Sequence, residues 1–124
     1  MSEEERELSR LKAERLLELG RIEADESRYP EANRCFREAL EISQSIGDGT
    51  GVGRVLGHLG LICRVQGDNA QALVYYNQAL EVAREIGDKR GEGSRLGLIG
   101  SVYRSQGEYD QAISYLTQAI ELAQ

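Results

Sequence analysis

The chain is predicted to be all-α, a linear stack of helical hairpins, and three observations predict it. The first is self-similarity: residues 51–84 align without gaps on residues 91–124, with 15 identities in 34 positions. A more diverged copy spans residues 11–50, where Leu16, Leu19, Gly20, Ala32, Ala39, Leu40, Glu41, Ile46, Gly47 and Asp48 recur 40 residues later. A fixed period of this length marks supersecondary units that bury their apolar faces against their neighbours. The second is spacing, with apolar residues at intervals of three and four and no strict alternation of the strand type. The third is punctuation, since glycine interrupts the apolar pattern at 47, 67, 87 and 107, where a left-handed residue ends a helix cheaply.

The elements follow in order. Ser2 and Glu5 form an S-x-x-E capping box, and the acidic SEEERE run places carboxylates in a first turn that the helix dipole favours. The turn of repeat one is Ser27-Arg28-Tyr29-Pro30, with Pro30 expected at the first position of the second helix, where its missing N–H costs nothing. Ile46-Gly47-Asp48 and Ile86-Gly87-Asp88 separate the repeats, the glycine closing one helix and the aspartate capping the next. In repeat two, Val55, Leu56, Leu59, Ile62 and Cys63 predict a helix from about 49 to 66. Gly67 ends it, Asp68 caps its successor, and Ala72, Leu73, Tyr76, Ala79, Leu80 and Ala83 share one face as far as about Ile86. Repeat three has Leu96, Ile99, Val102 and Tyr103, a turn at Gly107, then Ala112, Ile113, Leu116, Ala119 and Ile120. Gly20, Gly60 and Gly100 fall inside helices, at a cost of about 1 kcal/mol each relative to alanine, so close helix approach is expected there.

At 124 residues with a formal charge of -6, the chain suits a single domain over residues 1–124, and its balance disfavours nucleic acid, which needs a basic stripe. The N-terminus lacks the basic start and apolar core of a signal peptide, and no apolar run approaches the roughly 20 residues of a membrane span. No membrane association and a cytoplasmic location are therefore expected. Cys35 and Cys63 belong to no metal-ligand spacing and read as small buried apolar residues. His58 lies among leucines and reads as a packed or groove-edge side chain. Gly47-Asp48-Gly49-Thr50-Gly51-Val52-Gly53 is rich in glycine but fits no phosphate-loop register, so it reads as an inter-repeat turn. No catalytic site, metal site or cofactor is expected, and the chain is not read as an enzyme.

These residues resemble the tetratricopeptide repeat. That signature appears as Leu56, Leu59, Gly60, Cys63, Ala72, Tyr76 and Ala79, and again as Leu96, Ile99, Gly100, Tyr103, Ala112, Leu116 and Ala119. Repeat one reads Leu16, Leu19, Gly20, Glu23, Ala32, Phe36 and Ala39, where Glu23 replaces a large residue and implies a looser or more exposed first unit. The 40-residue period is similar to the arrays of Pins/LGN-type adaptors. The resemblance implies a right-handed α-solenoid of three helix-turn-helix repeats, at about 11–50, 51–90 and 91–124, with six helices in all. It also implies that the first helices line a concave groove holding an extended or helical peptide. Carried onto this chain, that stripe comprises Glu14, Leu17, Arg21, Ala24 and Asp25, then Arg54, Gly57, Leu61, Arg64 and Val65, then Ser94, Gly97, Ser101, Arg104 and Ser105.

The expected function is a non-catalytic protein-protein interaction scaffold. With 13 arginines against two lysines, and guanidinium suited to bidentate carboxylate contact, an acidic partner is expected across Arg21, Arg54, Arg64 and Arg104. Gly57, Gly97 and Ser101 lie between them on the same stripe. The alternative is a self-associating module, or a fragment or engineered part of a longer array. Its apolar face would be Ile113, Leu116 and Ile120, which no following helix covers.

Overall fold

The computed structural model describes all 124 residues and contains six helices: α1 (Glu3–Asp25), α2 (Tyr29–Ser45), α3 (Gly49–Val65), α4 (Asn69–Glu85), α5 (Lys89–Ser105) and α6 (Tyr109–Ala123). There is no strand, so the chain is an all-α repeat solenoid. No helix is long and apolar enough to cross a membrane. Helices 1 and 2, 3 and 4, and 5 and 6 pair as hairpins, and α2 packs on α3 as α4 packs on α5.

The expected capping box is present: the Ser2 side chain accepts from the Glu5 N–H while Glu5 accepts from the Ser2 N–H, both at 3.1 Å. Each of the first five helices then ends in the same kind of three-residue turn. Gly67 shows why it needs a special residue, since its φ of 85° lies in the left-handed region that side chains with a Cβ resist. Repeat one places Ser27 there instead, at φ 62°. The aspartates serve two helices at once. The Asp48 N–H closes α2 on the Ser43 carbonyl at 2.9 Å, and its carboxylate accepts from the Gly51 N–H of α3 at 3.1 Å. Asp68 and Asp88 repeat this at α4 and α5, whereas Arg28 and Glu108 supply no side-chain cap.

Two buried clusters hold the stack together. Ala13 and Leu17 of α1 meet Ala32, Phe36 and Ala39 of α2 and Val55, Leu59 and Ile62 of α3. Ala72, Tyr76 and Leu80 of α4 meet Leu96, Ile99 and Val102 of α5. Within each hairpin the first helix offers a glycine to a large side chain of the second. A Cβ on Gly20 would lie 2.5 Å from the Phe36 ring, one on Gly60 2.6 Å from the Tyr76 ring, and one on Gly100 2.9 Å from Leu116 Cγ. All three distances are far inside van der Waals contact, so the close approach expected from these glycines is present.

Several details differ from the sequence reading. Because α2 begins at Tyr29, Pro30 is its second residue rather than its first, a position whose N–H is likewise outside the helical ladder. The glycine-rich stretch is a turn only to Asp48; Gly49, Gly51 and Gly53 are helical. Space explains two of them: a Cβ on Gly49 would lie 2.8 Å from Ile86 Cγ2, and one on Gly51 2.6 Å from the Asp48 carboxylate that caps it. Glu23 does not loosen repeat one. Its largely covered carboxylate receives Arg28 Nε at 2.7 Å, tying α1 to the turn that follows. Leu17 is core rather than groove, and Cys35 and Cys63 are half-buried.

The two kinds of helical glycine should respond oppositely to alanine. Gly60→Ala is expected to lose about 1–2 kcal/mol in urea unfolding, the cost of overpacking against Tyr76 outweighing the gain in helix propensity. Gly57→Ala, with nothing within 4 Å of the new methyl, should gain about 0.5–1 kcal/mol.

Candidate functional site

Curvature defines the candidate surface. Helix α1 touches α3 and α3 touches α5, while α2, α4 and α6 never meet one another. The first helices therefore converge and form the inner face of the stack, and the second helices splay as its outer face.

Five arginines from three repeats belong to this inner set, on α1 (Arg21), α3 (Arg54, Arg64) and α5 (Arg95, Arg104). None of them is in an ion pair. The salt bridges of the chain engage Arg10, Lys12, Arg15, Arg28, Arg84 and Lys89 instead. Most carboxylates nearest the face are committed elsewhere: Glu14 accepts from Arg10 Nη1 at 2.6 Å, and Asp48 and Asp88 cap helices. Asp25, in the cleft with Arg21, is the exception and is in no ion pair. The inner face thus concentrates positive charge in a chain whose net charge is -6.

His58 registers that field. It stacks on Phe36 with ring centroids 5.3 Å apart, and burial, with Arg21, Arg54 and Arg95 adding to it, pushes its pKa down to about 4. Three of the arginines are therefore close enough to disfavour one imidazolium, and His58 is neutral at pH 7. Arg95 was absent from the stripe expected from sequence. It is half-buried, with its Nε enclosed and without a hydrogen-bond partner. Burial lowers its pKa, Asp88 opposes that shift and Arg54 adds to it. The sequence signal was its place one residue after Ser94, on the flank of the stripe rather than its crest.

The remaining predicted residues fall as follows. Arg64 Nη2 donates to the Ser101 carbonyl at 3.4 Å, joining repeats two and three across the face. It also opposes the rise that burial imposes on the Tyr76 hydroxyl pKa. Gly57 and Gly97 open onto empty space, with no atom within 4 Å of a would-be Cβ. Arg104 is exposed near the end of α5 and is not drawn into the group around His58. Between α1 and α3 lies a cleft of about 270 Å³, where Arg21, Asp25 and His58 stand beside Phe36, Leu61 and Val65. A second cleft, of about 280 Å³, runs from Arg54 to Arg95 and includes Ser94, Arg90 and Asp88. Ile113, Leu116 and Ile120 are exposed on α6, although Leu116 also covers Gly100. No three His, Cys, Asp or Glu side chains converge. Burial is the main cause raising both thiol pKa values, so neither cysteine is a thiolate at neutral pH.

The sequence profile of the tetratricopeptide repeat family matches residues 12–85 and 51–124, which together span nearly the whole chain. No curated protein matches by sequence. Among solved structures, the TPR domain of Arabidopsis FLU superposes with a TM-score of 0.82 at 22% identity, over 91% of this chain and 95% of that one. BtubC (BKLC) from P. vanneervenii superposes with a TM-score of 0.82 at 21% identity, over 90% of this chain. The chain spans 46% of the length of BtubC.

The depressed His58 pKa has a signed consequence. Unfolded, the imidazole takes a proton near pH 6.5; folded, it does so only near pH 4. Between those values the unfolded state binds more protons, so stability falls as pH falls. Urea midpoints of the wild type should drop more steeply from pH 7 to 4.5 than those of His58→Leu. Parallel slopes would show that the imidazole is not held neutral.

Proposed function

The chain belongs to the tetratricopeptide repeat family, and from that premise we propose that residues 1–124 form one non-catalytic interaction module that binds an acidic peptide or protein segment along its inner face. One observation carries the reading: Arg21, Arg54, Arg64, Arg95 and Arg104, all on the first helices α1, α3 and α5, are in no ion pair with a carboxylate. Guanidinium groups bind carboxylates bidentately and lose little by being held in place. A row of them selects for acidic partners and accelerates encounter. Arg21, Arg54 and Arg95 supply the central charge, with Arg64 and Arg104 further along. Gly57 and Gly97 let a ligand backbone approach the helices, Ser101 offers a hydroxyl, and the cleft at His58, Leu61 and Val65 suits one apolar ligand side chain. Two free cysteines fit a reducing compartment such as the cytoplasm.

Fluorescence anisotropy with a labelled Asp/Glu-rich peptide library and its Lys/Arg counterpart tests this directly. Acidic peptides should bind with an affinity that weakens as salt is added. Arg54→Glu combined with Arg95→Glu should cost tenfold or more, and Arg64→Glu with Arg104→Glu a smaller factor. The single histidine provides an internal reporter: carboxylates in the groove offset the arginine field, so ligand should raise the His58 pKa measured by NMR. Equal binding of the two libraries, or a His58 titration that does not move, would remove the acidic-ligand assignment.

A further inference from the structure

The solenoid makes the same seam twice inside one chain, and its two ends carry the two halves of a third. In the first seam Phe36 and Leu40 of α2 cluster with Val55, Leu59 and Ile62 of α3, and Ser43 lies beside Gly51; in the second, Tyr76 and Leu80 of α4 cluster with Ile99 and Val102 of α5, and Ala83 and Arg95 line the cleft at its edge. Shifted by 40 residues, the receiving positions become Arg15, Leu19 and Ile22 of α1, and the donating positions become Leu116, Ile120 and Ala123 of α6. The apolar chemistry is kept on α1 and α6, and both faces are exposed. Leu59 and Ile62 are 1% and 3% exposed, whereas Leu19 and Ile22 are 47% and 55% exposed; Leu80 is 4% exposed, whereas Ile120 is 60% exposed.

We propose that a second copy of this chain covers these faces head to tail, α6 of one copy packing on α1 of the next in the register of the internal seams. Continuity with an interface the molecule already forms is the argument. Each copy carries one half at each end, and apolar residues stand at the register positions that the fold buries elsewhere. Arg15 is no obstacle, because Arg95 at the matching position is accommodated half-buried at the edge of the second seam, its side chain lining the cleft toward Arg54. Polar groups are compatible too: where Arg84 Nε meets Glu92 at 3.1 Å across the second seam, the junction sets Gln124 beside Lys12. One position differs. Leu11 stands where the internal seams have Gly51 and Gly91, and a Cβ on Gly51 would lie 2.9 Å from Ser43 Oγ. The copies therefore pack less closely at that end than the internal repeats do, and the association is weak and concentration-dependent.

A heterologous contact of this kind does not close on itself, so it builds open chains rather than a fixed dimer. Analytical ultracentrifugation of the wild type should show a mean mass that rises past twice the monomer as concentration increases. Ile22→Lys blocks the α1 face and Ile120→Lys the α6 face; both sites are exposed, and circular dichroism verifies that helicity is kept. Each variant alone should remain monomeric. An equimolar mixture should form a one-to-one complex of twice the monomer mass and stop there, joined by the one unblocked face of each. A dimer of Ile22→Lys alone would mean that α6 pairs with α6, and a dimer of Ile120→Lys alone that α1 pairs with α1. Either result, or a wild type that stays monomeric at millimolar concentration, overturns the proposal.

Discussion

The structure depends on one steric constraint, repeated three times: a missing Cβ on the first helix of each hairpin and a large side chain of the second helix in its place. Gly20, Gly60 and Gly100 are the only way the rings of Phe36 and Tyr76, and the branched end of Leu116, can lie directly on a helix backbone. The same large residues then complete the seam to the next repeat, as Phe36 does with Val55 and Leu59. Intra-hairpin and inter-hairpin packing thus share one side chain. Crossing distance within a pair fixes the spacing between pairs, and so the curvature that brings α1, α3 and α5 together on the inside.

Charge is arranged by a similar sharing of roles. The aspartates at 48 and 88 form no ion pair with the inner arginines: one oxygen of each accepts an amide hydrogen at the start of α3 or α5, and Asp88 acts on Arg95 only through space. Glu14 is spent on Arg10. The acidic excess of the composition is carried by helix starts, ion pairs and the outer helices, leaving the inner face positive by default. His58 reflects this in one residue: an imidazole set on an aromatic ring, whose protonated form is disfavoured first by burial and then by the guanidinium groups around it.

Much of this was legible in the sequence because the repeat offers three readings of every position. Six helices, their capping aspartates and the glycine contacts follow from matched residues at one period. What was harder lay where the copies disagree. Glu23 looked like a defect because its partner Arg28 is five residues on, in a turn that exists only once the chain folds. Gly49 to Gly53 looked like loop because glycine content does not distinguish conformational freedom from lack of room. Arg95 was overlooked because a strict stripe of positions treats a helix as a line, whereas a long guanidinium reaches around it. Its counterpart Val55 is simply core, so alignment gave no warning.

The connections between helices contain no slack. Each is three residues long, its N–H groups bonded back to the helix before it, and at three of the five an aspartate is bonded forward into the helix after it. A body jointed in this way has no hinge with which to close around a guest. It can only present its charges at intervals fixed by the repeat, so a ligand of the proposed acidic kind would be selected by the spacing of its carboxylates. The inner face would then act as a ruler rather than a grip.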